Sequence, residues 1–204
     1  MIDSAVIAQG MTALAECDPD VADGWALVGD PEPRIRPHGF ETLLRIIVSQ
    51  QLSTQVAGAI MGRLEGHLPK ISAEAFLSLD DECLRACGLS GRKIEYGRGI
   101  AEKIAARELN LTSLTKETDE DVIGQLVALR GIGVWSAEIY AMFSLGRRDI
   151  FPSDDLALQE ALKRLKKLEK RPSGREARAL VEHWSPWRSV GALFLWRFYR
   201  GAPQ

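Results

Sequence analysis

The sequence predicts an all-α protein, and three observations carry that prediction. Apolar residues recur at three- and four-residue spacing along almost the whole chain, the period of one helix face. Ser, Thr and Asp stand immediately before the periodic stretches, where N-caps belong. No segment alternates convincingly enough to be a strand.

Taken in order, a first helix is expected over residues 2–15. Gly29-Asp30-Pro31-Glu32-Pro33-Arg34-Ile35-Arg36-Pro37 is too rich in proline for a helix and predicts an extended connector. Phe40, Leu43, Leu44, Ile47 and Val48 form one apolar stripe, Ser49-Gln50-Gln51-Leu52 is a polar break, and Ser53 starts a helix through Val56, Ile60 and Leu64. Ser72 caps residues 73–79, and Asp80 caps a short helix that stops at Gly88. Ser90 opens a helix through Ile94, Ile100, Ile104 and Ala105. Thr118 opens another, with Asp121 as the acidic partner of a capping box, ending near Leu129. A further helix starts around Val134. Asp154 is expected to cap residues 156–168, Ser173 and Glu176 form a second capping box, and Pro186 sits in the first turn of a last helix whose apolar residues run from Val190 to Phe198.

At 204 residues and 46% hydrophobic content, the chain has room for one compact core and at most two small domains. It carries no apolar run of the ~20 residues a membrane span needs. Its start, Met1-Ile2-Asp3-Ser4, is unlike a secretory signal, so a cytoplasmic protein is expected. Cys17, Cys83 and Cys87 suggest neither a disulfide framework nor a four-ligand metal site, and Cys83 and Cys87 read as two small apolar residues on one helix face. The formal net charge of −2 conceals an asymmetry. Residues 1–129 hold 12 Lys/Arg against 20 Asp/Glu, whereas residues 130–204 hold 14 against 8. The run Lys163, Arg164, Lys166, Lys167 and Lys170 is mostly a solvated helix face.

The most informative segment is Leu129-Arg130-Gly131-Ile132-Gly133-Val134-Trp135-Ser136-Ala137, between two helical patterns. Its glycines permit a tight reversal and a close backbone approach, and the amides of the next helix's first turn suit a phosphate. A plain helix–helix turn explains the same pattern. Some twenty residues on, Phe151-Pro152-Ser153-Asp154-Asp155-Leu156 places two carboxylates at a helix start, where the dipole favours both and helps to keep Asp155 ionised.

With these stretches, the sequence resembles the helix-hairpin-helix DNA glycosylases of the endonuclease III superfamily, in particular the DNA-3-methyladenine glycosylase II branch. The other matching stretches are Phe40-Glu41-Thr42-Leu43-Leu44-Arg45-Ile46-Ile47-Val48-Ser49-Gln50-Gln51-Leu52-Ser53, Gly88-Leu89-Ser90-Gly91-Arg92-Lys93 and Trp184-Ser185-Pro186-Trp187-Arg188-Ser189. The resemblance implies two helical subdomains flanking a DNA-binding cleft, one from residues 1–39 plus 155–204, the other from residues 40–154 with the hairpin at 127–137. It implies that Gly131, Gly133, Val134, Trp135 and Ser136 hold a DNA phosphate. The backbone carbonyls of Val127, Leu129 and Ile132 would hold a monovalent cation, sodium or potassium.

Asp155 matches the family's catalytic carboxylate, with Asp154 as the helix cap. Trp135 stands where bifunctional relatives carry a lysine nucleophile, which implies a monofunctional hydrolase without lyase activity. Gln51 or Leu52 would fill the gap left by a flipped base, though Leu52 equally suits the core of a kinked helix. Gln50, Trp135 and Trp196 would line the base pocket, where an indole face suits a cationic alkylated purine. Trp184 and Trp187 are assigned to structure. A pocket aromatic of the best-known relatives falls at Ile139, with Tyr140 next to it, which leaves the preferred lesion open.

The expected activity is hydrolysis of the N-glycosidic bond of alkylated purines such as 3-methyladenine, in base excision repair. It needs no cofactor for its chemistry and no iron–sulfur cluster. The expected partner is double-stranded DNA containing damaged bases, met by a monomer at the bacterial nucleoid. The alternatives are a non-catalytic helix-hairpin-helix DNA-damage-binding protein, a glycosylase for deaminated or oxidised purines, and an all-α protein-interaction domain.

Overall fold

The computed structural model describes residues 1–202 and contains helices and turns but no strand among them. Twelve α-helices follow one another: α1 Ser4–Cys17, α2 Pro19–Val28, α3 Phe40–Ser49, α4 Thr54–His67, α5 Ala73–Ser78, α6 Asp81–Ala86, α7 Gly91–Ala105, α8 Asp119–Val127, α9 Val134–Phe143, α10 Leu156–Leu165, α11 Gly174–Leu180 and α12 Arg188–Gly201. Short 3₁₀ turns cover Ser113–Lys116 and Glu182–Trp184.

Local chemistry explains most of the starts. Ser53, Ser72, Asp80, Ser90 and Thr118 each accept a first-turn amide with the side chain, satisfying a donor that the helix cannot. Ser173 and Glu176 form a complete capping box. At Thr118 the Asp121 carboxylate instead accepts the threonine hydroxyl.

Four features depart from the sequence expectation. Helix α2 lies just before the proline-rich connector, started by Asp18 as N-cap and Pro19 in the first turn. Helix α10 is capped by Asp155 itself and not by Asp154, and it stops at Leu165. Pro186 follows a cis peptide bond and precedes α12, whose first residue is Arg188. Leu52 is 39% exposed and so does not belong to the core.

The chain forms two compact units, Met1–Ile35 with Ala141–Gln204, and Arg36–Tyr140. The terminal unit thus begins its second segment at Ala141, upstream of the Asp155 expected. Residues 147–151 are tied to the C-terminal helix and its approach. Ser189 Oγ accepts Ile150 N–H and bonds the Arg147 carbonyl, Asp149 pairs with Arg188, and Phe151 packs edge-on against Trp184. In this unit α10 packs on α12 and α1 on α2 and α12. The central unit packs α5 on α7 and α3 on α4 and α7, around buried Leu43, Leu44, Ile47, Phe76 and Ile100. Among the described residues no helix is long and apolar enough to cross a membrane.

Candidate DNA-binding and catalytic residues

Helices α8 and α9 are joined by a turn in which Gly131 has φ +94°. A Cβ there would lie 2.3 Å from Cδ2 of the Tyr96 ring, so both the backbone and the packing demand glycine. Gly133 differs, because nothing stands within 4 Å of where its Cβ would be. Beside that open space, Val134 and Trp135 are exposed while Ser136 is buried. The start of α9 therefore pairs an uncovered glycine with two exposed side chains, an arrangement that permits a backbone or phosphate to approach closely. The carbonyls of Val127, Leu129 and Ile132 lie where α8 ends, and Leu129 O already accepts Ile132 N–H at 3.0 Å. Neutral carbonyl oxygens at a helix C-terminus, each with two lone pairs, suit a monovalent cation.

The polar break after α3 reverses through a turn of type II character, with Gln50 at φ −59°, ψ 128°, Gln51 at φ +58°, and Leu52 N–H donating to Ser49 O at 3.2 Å. Gln51 occupies the position where such turns prefer glycine, a conformation that costs about 1–2 kcal/mol. Its side chain is exposed. Gln50 is fixed at both ends: its side-chain Nε2 donates to Gly131 O at 2.8 Å, and its carbonyl accepts Lys93 Nζ at 2.9 Å. The break is thereby fastened to the hairpin.

Lys93 also donates to Val48 O at 2.7 Å. It stands in the first turn of α7, where a cation opposes the helix dipole, but its amine reaches the last carbonyls of α3, where a cation is favoured. Burial pushes its pKa down.

A cavity of about 790 Å³ in the central unit is lined by Gln50, Gln51, Trp135 and Ile139, together with Lys93 and Tyr96. It unites three residues nominated from the sequence with the Ile139 position, and Arg36 and Arg92 supply further positive charge. The roles of Lys93 and Tyr96 were not anticipated. The unfavourable placement of Lys93 at a helix start was the one signal for it in the sequence. Tyr140 is fully buried, and its hydroxyl accepts Gly39 N–H at 3.1 Å and meets His38 Nδ1 at 2.9 Å. Burial, only partly opposed by that amide, pushes its pKa up to about 12, so it remains a neutral phenol.

Asp155 and Trp196 belong to the terminal unit. Asp155 Oδ1 accepts Ala157 N–H at 2.9 Å, Leu158 N–H at 3.0 Å and the Trp196 indole N–H at 3.3 Å. The half-buried carboxylate is therefore fixed in orientation by three donors. Trp196 is itself buried, packs 5.9 Å from Phe143, and has the Arg34 guanidinium 5.1 Å from its ring centroid. Its indole holds the carboxylate, a contact that spacing in the sequence could not reveal.

The fold and the hairpin define a helix-hairpin-helix DNA-repair protein. The chain belongs to the HhH-GPD superfamily of base excision DNA repair proteins, which it matches over residues 44–186. It is 33% identical to DNA-3-methyladenine glycosylase 1 of Schizosaccharomyces pombe over 84% of this chain and 78% of that protein. Among solved structures, it resembles a DNA-3-methyladenine glycosidase from Bacillus halodurans with a TM-score of 0.85 and 32% identity, over 94% of this chain and 89% of the other. The S. pombe 3-methyladenine DNA glycosylase in complex with abasic DNA gives a TM-score of 0.77 and 30% identity, over 93% and 95% of the two chains.

Replacing Gln51 by glycine is expected to leave thermal stability unchanged or raise it by about 1 kcal/mol, since it removes the positive-φ penalty. The same change is expected to lower base release from damaged DNA about tenfold or more if Gln51 fills the gap of a flipped base. Thermal melts and single-turnover assays read the two effects separately. Unchanged release with Gln51→Gly, and reduced release with Leu52→Ala, would transfer that role to Leu52.

Proposed function

We propose that this chain is a monofunctional DNA glycosylase of base excision repair, hydrolysing the N-glycosidic bond of alkylated purines such as 3-methyladenine. The observation that carries the reading is Asp155, a carboxylate held in one orientation at a helix start, in a chain about 30% identical to proteins that bear the 3-methyladenine glycosylase name.

The proposed chemistry is spare. Alkylation at a ring nitrogen leaves the base cationic, so it departs as a neutral molecule without prior protonation. As its bond to C1′ lengthens, positive charge builds on the sugar, and ionised Asp155 stabilises that charge. Water adds to C1′ and loses a proton, leaving an abasic site. Trp135 and Trp196 offer indoles to the electron-poor base, with Gln50 beside Trp135. Gly131, Gly133, Val134, Trp135 and Ser136 hold a backbone phosphate of the damaged strand, and Gln51 or Leu52 takes the place of the extruded nucleotide. A monovalent cation held by the carbonyls of Val127, Leu129 and Ile132 would add positive charge beside that phosphate. The protein acts as a monomer on double-stranded DNA in the cytoplasm, at the nucleoid.

The proposed reaction includes no lyase step, and the placement of the amines supports this. The hairpin presents Trp135 and no amine, and the cavity's lysine, Lys93, is engaged by two backbone carbonyls. A Schiff base with the sugar needs an amine free to move to C1′.

The test is release of free base from duplexes carrying one defined lesion each, with strand integrity followed in parallel. Release of 3-methyladenine, intact strands and no borohydride-trapped adduct are expected. Release of deaminated or oxidised purines alone would move the substrate class. Tight binding without any release would make the protein a damage sensor.

A further inference from the structure

We propose that His67, Cys83 and Cys87 form a binding site for a thiophilic divalent cation of the zinc type. The ligand atoms of these three side chains lie within 4.8 Å of one another. They come from two neighbouring helices: His67 is the last residue of α4, while Cys83 lies within α6 and Cys87, one turn on, is its C-cap.

The backbone around the donors is fixed independently of any ion. Gly88, at φ +99°, ends α6, with its N–H donating to Arg85 O at 2.8 Å and Leu89 N–H donating to Leu84 O at 3.2 Å. This is a Schellman closure, and it sets the position of Cys87. Arg63, one turn before His67 on α4, donates from Nε to Cys87 O at 2.7 Å and so binds the two helix ends to each other. Cys87 is buried, Cys83 half-buried and His67 exposed. The cluster thus grades from a buried sulfur through a half-buried one to an imidazole that solvent reaches.

Two thiolates and an imidazole are borderline-soft ligands that select zinc-like ions over magnesium or calcium. Zn–S bonds of about 2.3 Å and Zn–N bonds of about 2.0 Å put tetrahedral donors about 3.4–3.8 Å apart. The observed cluster needs only a short inward movement, which the exposed His67 can supply by rotation. The fourth position falls to water. The positive charge of Arg63 offsets negative charge near the thiolates. The bound ion would clamp α4 to α6, immediately before the Gly88–Ser90 turn from which α7 carries Lys93 to the polar break. The site makes no demand on the glycosidic chemistry.

The experiment is anaerobic titration of the reduced, full-length protein with Co²⁺ and then Zn²⁺. One equivalent of Co²⁺ is expected to give thiolate-to-metal charge-transfer absorption in the near ultraviolet and the intense visible bands of a tetrahedral ion. Zn²⁺ should displace both and raise the melting temperature. The Cys83→Ser and Cys87→Ser variants should lose the charge-transfer band, and Cys17→Ser should keep it. His67→Gln changes an exposed side chain that supports no fold contact described above, and it should weaken binding while preserving the metal-free melt. Octahedral cobalt spectra, a band that survives in Cys83→Ser, or identical affinity in His67→Gln would each overturn the proposal. Base release by metal-free protein should match that of the wild type with metal, so failure here is separable from failure of the glycosylase reading.

Discussion

Asp155→Asn is expected to abolish base release while leaving the fold and DNA binding in place. The substitution isolates charge because asparagine is about as good an N-cap as aspartate. Its Oδ1 can accept the same amides of Ala157 and Leu158 and the same Trp196 indole N–H. What it cannot provide is negative charge opposite a developing oxocarbenium ion. Removing one fixed group of that kind costs about 3 kcal/mol or more, so single-turnover release should fall at least about 100-fold. Binding to abasic-site DNA should be retained, since the hairpin proposed to hold the phosphate is elsewhere in the sequence. Asp155→Ala is the informative companion: it removes the cap as well, at a cost of about 1 kcal/mol in stability. A variant Asp155→Asn with wild-type activity would leave this residue as a helix cap and nothing more.

How much of this was legible beforehand depends on whether the signal is local. Ser53, Ser72, Asp80, Ser90, Thr118 and Ser173 announce helix starts because capping is settled within three residues, and each of them caps. The reversal at Gly131 was legible for the same reason. Helix α2 was not, although Asp18-Pro19 is a good start signal, because Gly24 and a short apolar pattern weaken its middle. What supports it is tertiary: a Cβ on Gly24 would meet Leu165 at 2.8 Å and Phe194 at 2.9 Å, so the glycine permits a close approach that no local pattern shows. The choice between Asp154 and Asp155 as cap was also beyond spacing. Both precede the helix, and only the backbone at Asp155, with φ −71° and ψ 117°, directs that carboxylate onto the amides. His67, Cys83 and Cys87 illustrate the general limit. Fifteen residues separate the histidine from the first cysteine in sequence, and the structure alone places their donor atoms together.

Asp18→Asn is expected to be among the most destabilising single changes in the protein. Asp18 ends α1, begins α2 and is almost fully buried, with 1% of its side chain exposed. Its carboxylate accepts Lys166 Nζ at 2.6 and 2.7 Å and the Trp184 indole at 2.7 Å, and His183 Nε2 lies 3.0 Å away. Burial alone would raise its pKa, but hydrogen bonds from Lys166, Trp184 and His183, with the charge of Lys166, hold it below the ordinary 3.8. Asparagine fits the space but carries no charge, and its amide nitrogen would turn N–H groups toward donors. Lys166 keeps Asp20 at 3.0 Å, which places the loss near the lower end of the range for breaking a buried pair, about 3 kcal/mol. For a chain of this size that is a fall in Tm of about 6–12 °C. The pH dependence separates charge from packing. A carboxylate with a depressed folded pKa contributes stability above its unfolded value and loses it as the pH falls through the folded one. The difference in stability between wild type and Asp18→Asn should therefore hold from neutral pH to about 4 and shrink below it. A difference that persists unchanged under those acidic conditions would assign the loss to hydrogen-bond geometry instead of the ion pair.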